Sequence, residues 1–294
     1  MSQSAGLTLA MARGRRAVGY LGWHLFCLPI AAACVFPVVW MISSSLKTQQ
    51  TVFRDYSLIP KTAHLHNYVL AWTQGQFGTY FLNSLFYSVT IVLGVVGLAT
   101  LAAYAFSRFT FKGKDVLYKL ILSTMLIPIP GSFVALYILV NQMGLIDTGA
   151  GQFWPRLGYM LPQINAGLPF GIFILKPFFD KIPKELEESA KVDGCGVLGV
   201  FWHIMLPLAR PALGVVALLT FISAWNEFLW ALLVFSRHEL MPLQRGLLAF
   251  HGAHLTDYPL LMAGMVISIL PVVAVYLVMQ RHIIQGITAG ALKG

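Results

Sequence analysis

Charge is what this sequence has least of. Only 11% of its 294 residues are Asp, Glu, Lys or Arg, and 57% are hydrophobic, whereas soluble domains carry about 25% charged residues. That composition excludes an ordinary soluble fold and places the bulk of the chain in lipid. Acidic residues are the scarcer sign, 11 against 20 basic ones. A proton or ion relay inside the membrane would need more carboxylates than Glu227, the one acidic residue that falls well inside a hydrophobic span. Cysteine is sparser still, with three residues. Cys27 and Cys34 lie seven residues apart on one face of the first apolar stretch, and Cys195 falls in a polar segment where thiols stay reduced. No disulfide scaffold is expected. His64 and His66 share one loop and His251 and His254 another, spacings common in loops, and no metal site is expected. Low-complexity runs, tandem repeats, inverted repeats and internal linkers are all lacking, so residues 1–294 are expected to form a single transmembrane domain. Serine, histidine and acidic residues converge in no pattern that suggests an intramembrane enzyme.

What the chain has instead is long stretches without a single charge: 17–46, 62–107, 120–146, 157–175, 211–226 and 258–280. A helix of about 20 apolar residues crosses a bilayer core of about 30 Å. Trimmed by apolar content, the stretches predict an all-α membrane protein with six spans near 18–43, 83–107, 118–140, 155–176, 212–235 and 259–281. The first is longer than the core of a signal peptide, and no small-residue cleavage site follows it, so it is expected to be retained. Basic residues accumulate on the cytoplasmic side. With the N-terminus inside, fourteen Lys and Arg fall in cytoplasmic segments and six outside. Both termini are therefore expected in the cytoplasm. Topology accounts for the net charge of +9 without invoking a nucleic acid.

Three loops are expected outside. The longest, about 47–82, contains Tyr56, Tyr68, Trp72, Phe77 and Tyr80, aromatics typical of the membrane interface. Loop 141–154, with Gly144, Gly149 and Gly151, reads as a short return. Loop 236–258 is polar and reads either as a solvated hairpin or as a contact for an external partner.

The cytoplasmic loop 177–211 carries the most information. Pro183 suits a first helical turn, and Glu185, Glu187 and Glu188 would sit at the positive end of that helix's dipole. A helix over about 183–192 is predicted, with Asp193-Gly194 as its stop. Val197, Leu198, Phe201 and Ile204 recur at three- or four-residue spacing and predict a second helix, broken at Leu206-Pro207 before Pro211 opens the fifth span. Two short helices joined by a glycine turn would project an apolar ridge with an acidic base. Such a ridge suits a protein partner. The alternative, a helix resting on lipid headgroups, would set three glutamates against an anionic leaflet.

The spacing Glu188-x-Ala190, then Gly194, then Ile204-x-Leu206-Pro207 resembles the signature loop of binding-protein-dependent ABC importer permeases. Ser189 departs from it, standing where the family usually has alanine. Asn83-Ser84, Ala224-Trp225-Asn226-Glu227-Phe228 and the tail from Gln280 to Gly294 resemble the carbohydrate branch, in its maltose-permease-like form with six spans. The resemblance implies half of a translocation pore for a sugar or oligosaccharide. Its partners would be a second permease subunit, a dimer of ABC ATPases and an extracytoplasmic solute-binding protein. It implies no catalytic residue and no cofactor on this chain, ATP and Mg being held by the partner ATPase. The loop would be a coupling helix between spans four and five, with Glu187, Glu188, Ser189, Ala190, Asp193, Gly194, Ile204, Leu206 and Pro207 at the ATPase contact. Glu188 would meet a basic group, and the tail from Gly286 would enter between the ATPase subunits.

Polar residues within the spans are the candidates for the pathway. Asn226 and Glu227 stand at membrane depth, where an ionisable side chain faces a polar cavity or a partner. Gln163 and Asn165 make the fourth span polar, and Asn83 opens the second. Pro128-Ile129-Pro130-Gly131 interrupts the third span and is a candidate hinge or a packed kink. The rival class is a secondary transporter or channel that works without ATP.

Overall fold

The computed structural model describes residues 2–74, 76–127, 129–149, 151–251 and 256–291, with side chains described over 23–74, 76–127, 132–149, 151–251 and 256–280. Among the described residues there is no strand, only an isolated bridge between His251 and Thr256. Three helices contain apolar stretches long enough to cross a membrane. They are α1 (Ser2–Ser45), α3 (Phe77–Arg108) and α13 (Tyr258–Ala291), with apolar segments Trp23–Ser45, Phe77–Arg108 and Tyr258–Gln280. Between α1 and α3 lies the short α2 (His66–Gln74).

Two of the expected spans are broken helices. Residues 118–140 divide into α4 (Lys114–Ser123), a tight turn at Thr124–Leu126, an extended Ile127 and α5 (Ile129–Gln142). The break falls at the Pro128-Ile129-Pro130-Gly131 run, where the residue before proline is pushed out of the helical region. Residues 212–235 divide into α10 (Arg210–Trp225) and α11 (Leu229–Val234). By contrast α6 (Phe153–Asp180) stays continuous through Pro162, Pro169 and Pro177.

Contacts gather into two units, residues 1–71 with 250–266, and residues 72–249 with 267–294. In the first, the loop after α1 is knotted around Lys47, whose side chain is almost fully buried. Its ammonium donates to the carbonyls of Asp55 at 2.6 Å and Ser57 at 2.8 Å and lies over the Trp40 ring. Asn67 adds bonds to the carbonyls of Ser45 and Lys47, and Gln49 binds the backbone at Thr256 and Tyr258.

The second unit is built on α3 and α6, with α10 against them. Their approach depends on glycine. A Cβ at Gly167 would stand 2.7 Å from Val95 Cγ2, one at Gly171 2.7 Å from the Ala99 Cβ, and one at Gly94 2.7 Å from Ile164 Cδ1. Gly167 and Gly171 are four residues apart on one helical face, the small-xxx-small spacing that lets helices pack backbone to backbone in lipid. Gly167 and Gly171 thus mark the face of α6 that packs, whereas Asn165 is exposed. Gly158, near the start of α6, is tighter still, since a Cβ there would be 2.1 Å from the Leu145 carbonyl oxygen.

At the Phe77 end of α3 the loop after α11 folds inward over 240–243 and 246–247, while Ser236, His238 and Glu239 stay exposed. Leu240 and Met241 are buried, as are Leu243 and Gly246 of the single-turn α12 (Leu243–Gly246). Asn83 Nδ2 donates to the carbonyls of Glu239 (2.8 Å) and Met241 (3.1 Å), Tyr87 Oη to Leu240 O (2.9 Å), and the Leu243 N–H to Ser84 Oγ (2.7 Å). Phe77 and Tyr80, expected at the lipid interface, are buried in this packing because α3 begins six residues before the predicted span.

Asp147, between α5 and α6, pins the same loop. Its enclosed carboxylate accepts from the backbone N–H groups of Ser236 and Arg237 and from Arg237 Nε at 2.8 Å. Burial pushes its pKa up, but the bonds from Arg237, Gly149 and Ser236 outweigh that and hold it below the usual carboxylate range. A carboxylate with a depressed folded pKa stabilises fully above the unfolded value and ceases to do so as pH falls through the folded one. Asp147→Asn is therefore expected to lower stability at neutral pH by about 2 kcal/mol, the scale of an unsatisfied buried polar group. Melting curves of wild type and variant should converge as pH falls below about 4.

Candidate functional site

The loop between α6 and α10 is built from four short helical pieces. The first, α7 (Lys184–Val192), begins directly after Pro183, which is extended and stands just outside the helix. Glu185 and Glu187 lie in its first turn and Lys191 in its last, the arrangement that offsets the helix dipole. Its end is a Schellman stop: the Cys195 N–H donates to Ala190 O at 2.8 Å and the Gly194 N–H to Lys191 O at 3.0 Å. Gly194 holds φ at +82°, a conformation that disfavours any side chain, although the space around it is open. Asp193 forms the turn with it, its N–H bonded to Ser189 O.

The second limb runs from α8 (Val197–Val200) through a widened π turn at Phe201–Met205 into α9 (Leu206–Leu208). The Leu206 N–H reaches back to Phe201 O, and this wider turn just before Pro207 eases the clash that a proline ring makes with the carbonyl four residues earlier. Leu206-Pro207 therefore does not break the chain's helical course as expected. The break comes at Ala209, where the axis turns by 73° into α10.

These pieces have an inner and an outer face. Val200, Phe201, Met205 and Ala209 are buried, with the Phe201 ring 5.1 Å from that of Tyr104 on α3 and Tyr104 6.0 Å from Phe179 on α6. Val192 and Leu198 project outward, 87% and 72% exposed, with Leu186, Val197 and Trp202 exposed beside them. The ridge read from spacing is thus divided, Phe201 serving the interior and Ile204 lying between. Glu188 and Ser189 are exposed, Ala190 is half-buried, and Leu206 and Pro207 are half-buried.

Glu187 differs from its neighbour. It turns inward and pairs with Arg108, the last residue of α3, with side-chain exposures of 9% and 6%. Arg108 also donates to the Ile182 carbonyl at 2.7 Å, just before α7. Beside them Ser107 Oγ donates to Asp180, which Lys176 also holds, each at 2.7 Å. Asp180 is partly buried, which raises its pKa, yet the bonds from Lys176 and Ser107 leave it lowered. Sequence reasoning did not find Arg108 as a site residue. A basic residue closing an apolar stretch looks the same whether it faces water or a carboxylate 79 positions away.

The pathway candidates do not converge. Asn83 is engaged in the loop packing described above, and Gln163 donates to the Tyr159 carbonyl of its own helix at 3.0 Å. Asn165 is exposed on α6. Asn226 and Glu227 share the break between α10 and α11. Asn226 caps the Ile222 carbonyl and accepts from Gln244, while the Glu227 carboxylate accepts the Trp230 N–H at 2.7 Å, in the first turn of α11. Trp230 Nε1 continues to Gly158 O at 3.1 Å.

Residues 95–289 match the family described as the binding-protein-dependent transport system inner membrane component. The chain belongs to this family. A probable ABC transporter permease protein, YurM, of Bacillus subtilis is 34% identical over 94% of this chain and 90% of its own length. The trehalose/maltose transport system permease protein MalG of Thermococcus litoralis is 34% identical over 90% and 94%, and the trehalose transport system permease protein SugB of Mycobacterium tuberculosis 34% over 92% and 97%. Among solved structures, a bacterial ABC transporter involved in the import of the acidic polysaccharide alginate superposes with a TM-score of 0.78 at 26% identity, covering 92% of this chain and 98% of that one. The permease is thus an inner-membrane, helical component of an ABC transporter, and α7 to α9 fall within the family match.

Proposed function

We propose that this permease forms half of a pore that imports a carbohydrate, driven by ATP bound and hydrolysed with Mg on a partner ATPase. The supporting observation is the exposed apolar edge of α7 and α8, displayed on a loop whose inner face is held on α3. An apolar edge so displayed fits a cleft on a soluble partner. Glu188, Ser189, Ala190, Asp193 and Gly194 make the docking turn, while Ile204, Leu206 and Pro207 set the second limb. The trehalose and maltose relatives support a sugar cargo, and the family's description supports delivery by a solute-binding protein. A second permease subunit would complete the pore.

In this reading the whole chain, 1–294, works as one transmembrane domain of six spans with cytoplasmic termini. The spans would be α1, α3, the broken pair α4 and α5, α6, the broken pair α10 and α11, and α13. The cofactor chemistry, ATP with Mg, would reside on the partner ATPase. Of the pathway candidates Asn165 is exposed on α6, while Asn83, Gln163, Asn226 and Glu227 all carry bonds within the protein. The side chains from 281 onward, and residues 292–294 altogether, lie outside the described residues, and the expected insertion of the tail from Gly286 to Gly294 falls there.

The test is uptake of labelled disaccharides by the full complex in proteoliposomes with its binding protein. Accumulation that requires ATP is expected, and accumulation by this chain alone, without ATP, would establish the secondary-transporter class instead.

A further inference from the structure

Resting on that reading, one element joins the two ends of the second unit. Helix α3 runs 32 residues without a proline, about 48 Å at 1.5 Å per residue. Its neighbours are less stiff: α4 and α5 are separated by a turn, α10 and α11 by three non-helical residues, and α6 contains three prolines. At its Phe77 end α3 holds the loop after α11 through Asn83, Ser84 and Tyr87. At the other end Arg108 holds α7 through Glu187 and the Ile182 carbonyl.

We propose that α3 is the rod that transmits movement between the two faces of the permease, and that the Arg108–Glu187 ion pair is the clamp fixing the docking helix to it. Glu187 is then a positioning residue. It acts on the ATPase contact through α7 and does not itself touch the ATPase.

The attachment is asymmetric. The first limb of the docking loop is fixed to α3 by an enclosed ion pair and by the backbone bond at Ile182, whereas the second limb meets α10 across the 73° bend at Ala209. A push on α7 therefore reaches α3 and α6 directly, and α10 through its packing on them as well as through the bend. The clamp is also specific in kind: Arg108 reaches the Glu187 carboxylate through Nε and the Ile182 carbonyl through a terminal nitrogen of one planar fork, a geometry that a lysine's point-like ammonium does not reproduce. Tyr104 and Phe201 close over the inner face beside it, so water has little access to the pair.

The experiment uses the complete transporter with its binding protein, comparing Glu187→Gln, Arg108→Gln, Arg108→Lys and the reversal Arg108→Glu with Glu187→Arg. In the two glutamine variants the ATPase should still co-purify at wild-type stoichiometry. Binding-protein-stimulated uptake should fall at least tenfold, and the reversal should restore it to within about threefold of wild type. Arg108→Lys should fall between. Wild-type uptake in Glu187→Gln would overturn the proposal, as would loss of the ATPase from that complex or a reversal no better than the single variants. Failure of the reading underneath shows differently, as an absence of ATP-dependent uptake in the wild-type transporter.

Discussion

Gly194→Trp is expected to abolish transport while leaving the permease inserted in the membrane. The residue sits at φ +82° and completes the Schellman stop that ends α7. A non-glycine residue there costs about 1 kcal/mol or more in the left-handed region, and the indole would occupy the open space on the docking side. Glu188→Lys should act on the same contact by reversing an exposed charge. Uptake and binding-protein-stimulated ATP hydrolysis in the complex are the readouts, with a drop of about 100-fold expected for the tryptophan variant, equivalent to about 3 kcal/mol of coupling. Normal stimulation in both variants would remove loop 177–211 from the docking role. Gly97→Trp, on an open face of α3, is the matched control and should transport normally.

Gly158→Val should be the most destabilising single change in the second unit. The Cβ alone would stand 2.1 Å from the Leu145 carbonyl oxygen and 2.9 Å from its Cβ, and the obstacle is backbone, which has no rotamer in which to escape. The same residue's carbonyl accepts the Trp230 indole N–H. Displacing α6 here would loosen α11 and the segment before α6 together. Overpacking costs about 1–3 kcal/mol where side chains can give, and more is expected where the backbone must move. The detergent-solubilised protein should lose its cooperative melt or melt more than 10 °C below wild type. Gly97→Val, with nothing within 4 Å of its Cβ, should melt with wild type. Equal melting of the two variants would show that α6 has room the close approach denies.

The parts of the fold that were legible in the sequence are those set by local chemistry. Asp193-Gly194 is a helix stop because the left-handed conformation favours glycine wherever it occurs. The Pro128 to Gly131 run ends a helix because of what proline does to the residue before it. Long uncharged stretches read directly as apolar helices at α1, α3 and α13. Three features were not legible, and two of them depend on a distant partner. Glu187 and Glu188 are identical in type and adjacent, yet one is buried on Arg108 and the other is exposed. Only the packing of α7 on α3 separates them.

The break at Asn226–Phe228 has neither proline nor glycine to announce it. Its caps are the Asn226 amide on the last turn of α10 and the Glu227 carboxylate on the first turn of α11. Their polarity within an apolar stretch marks both residues in the sequence, and the structure gives them the caps of the break. The polar loop after α11 looked solvated because its side chains are polar. Its backbone carbonyls are what bind α3, and a sequence carries no mark of that.

The exposed edge of α7 and α8 is expected to seat on a soluble ATPase. A photoreactive residue at Val192 or Leu198, the most exposed apolar positions of that edge, tests it directly in membranes containing the whole transporter. Crosslinking to the ATPase subunit from both positions is expected, with crosslinking to lipid from a probe at Leu93, exposed on α3. Adducts only with lipid from Val192 and Leu198 would contradict the claim and leave the loop as a helix pair resting on the bilayer surface.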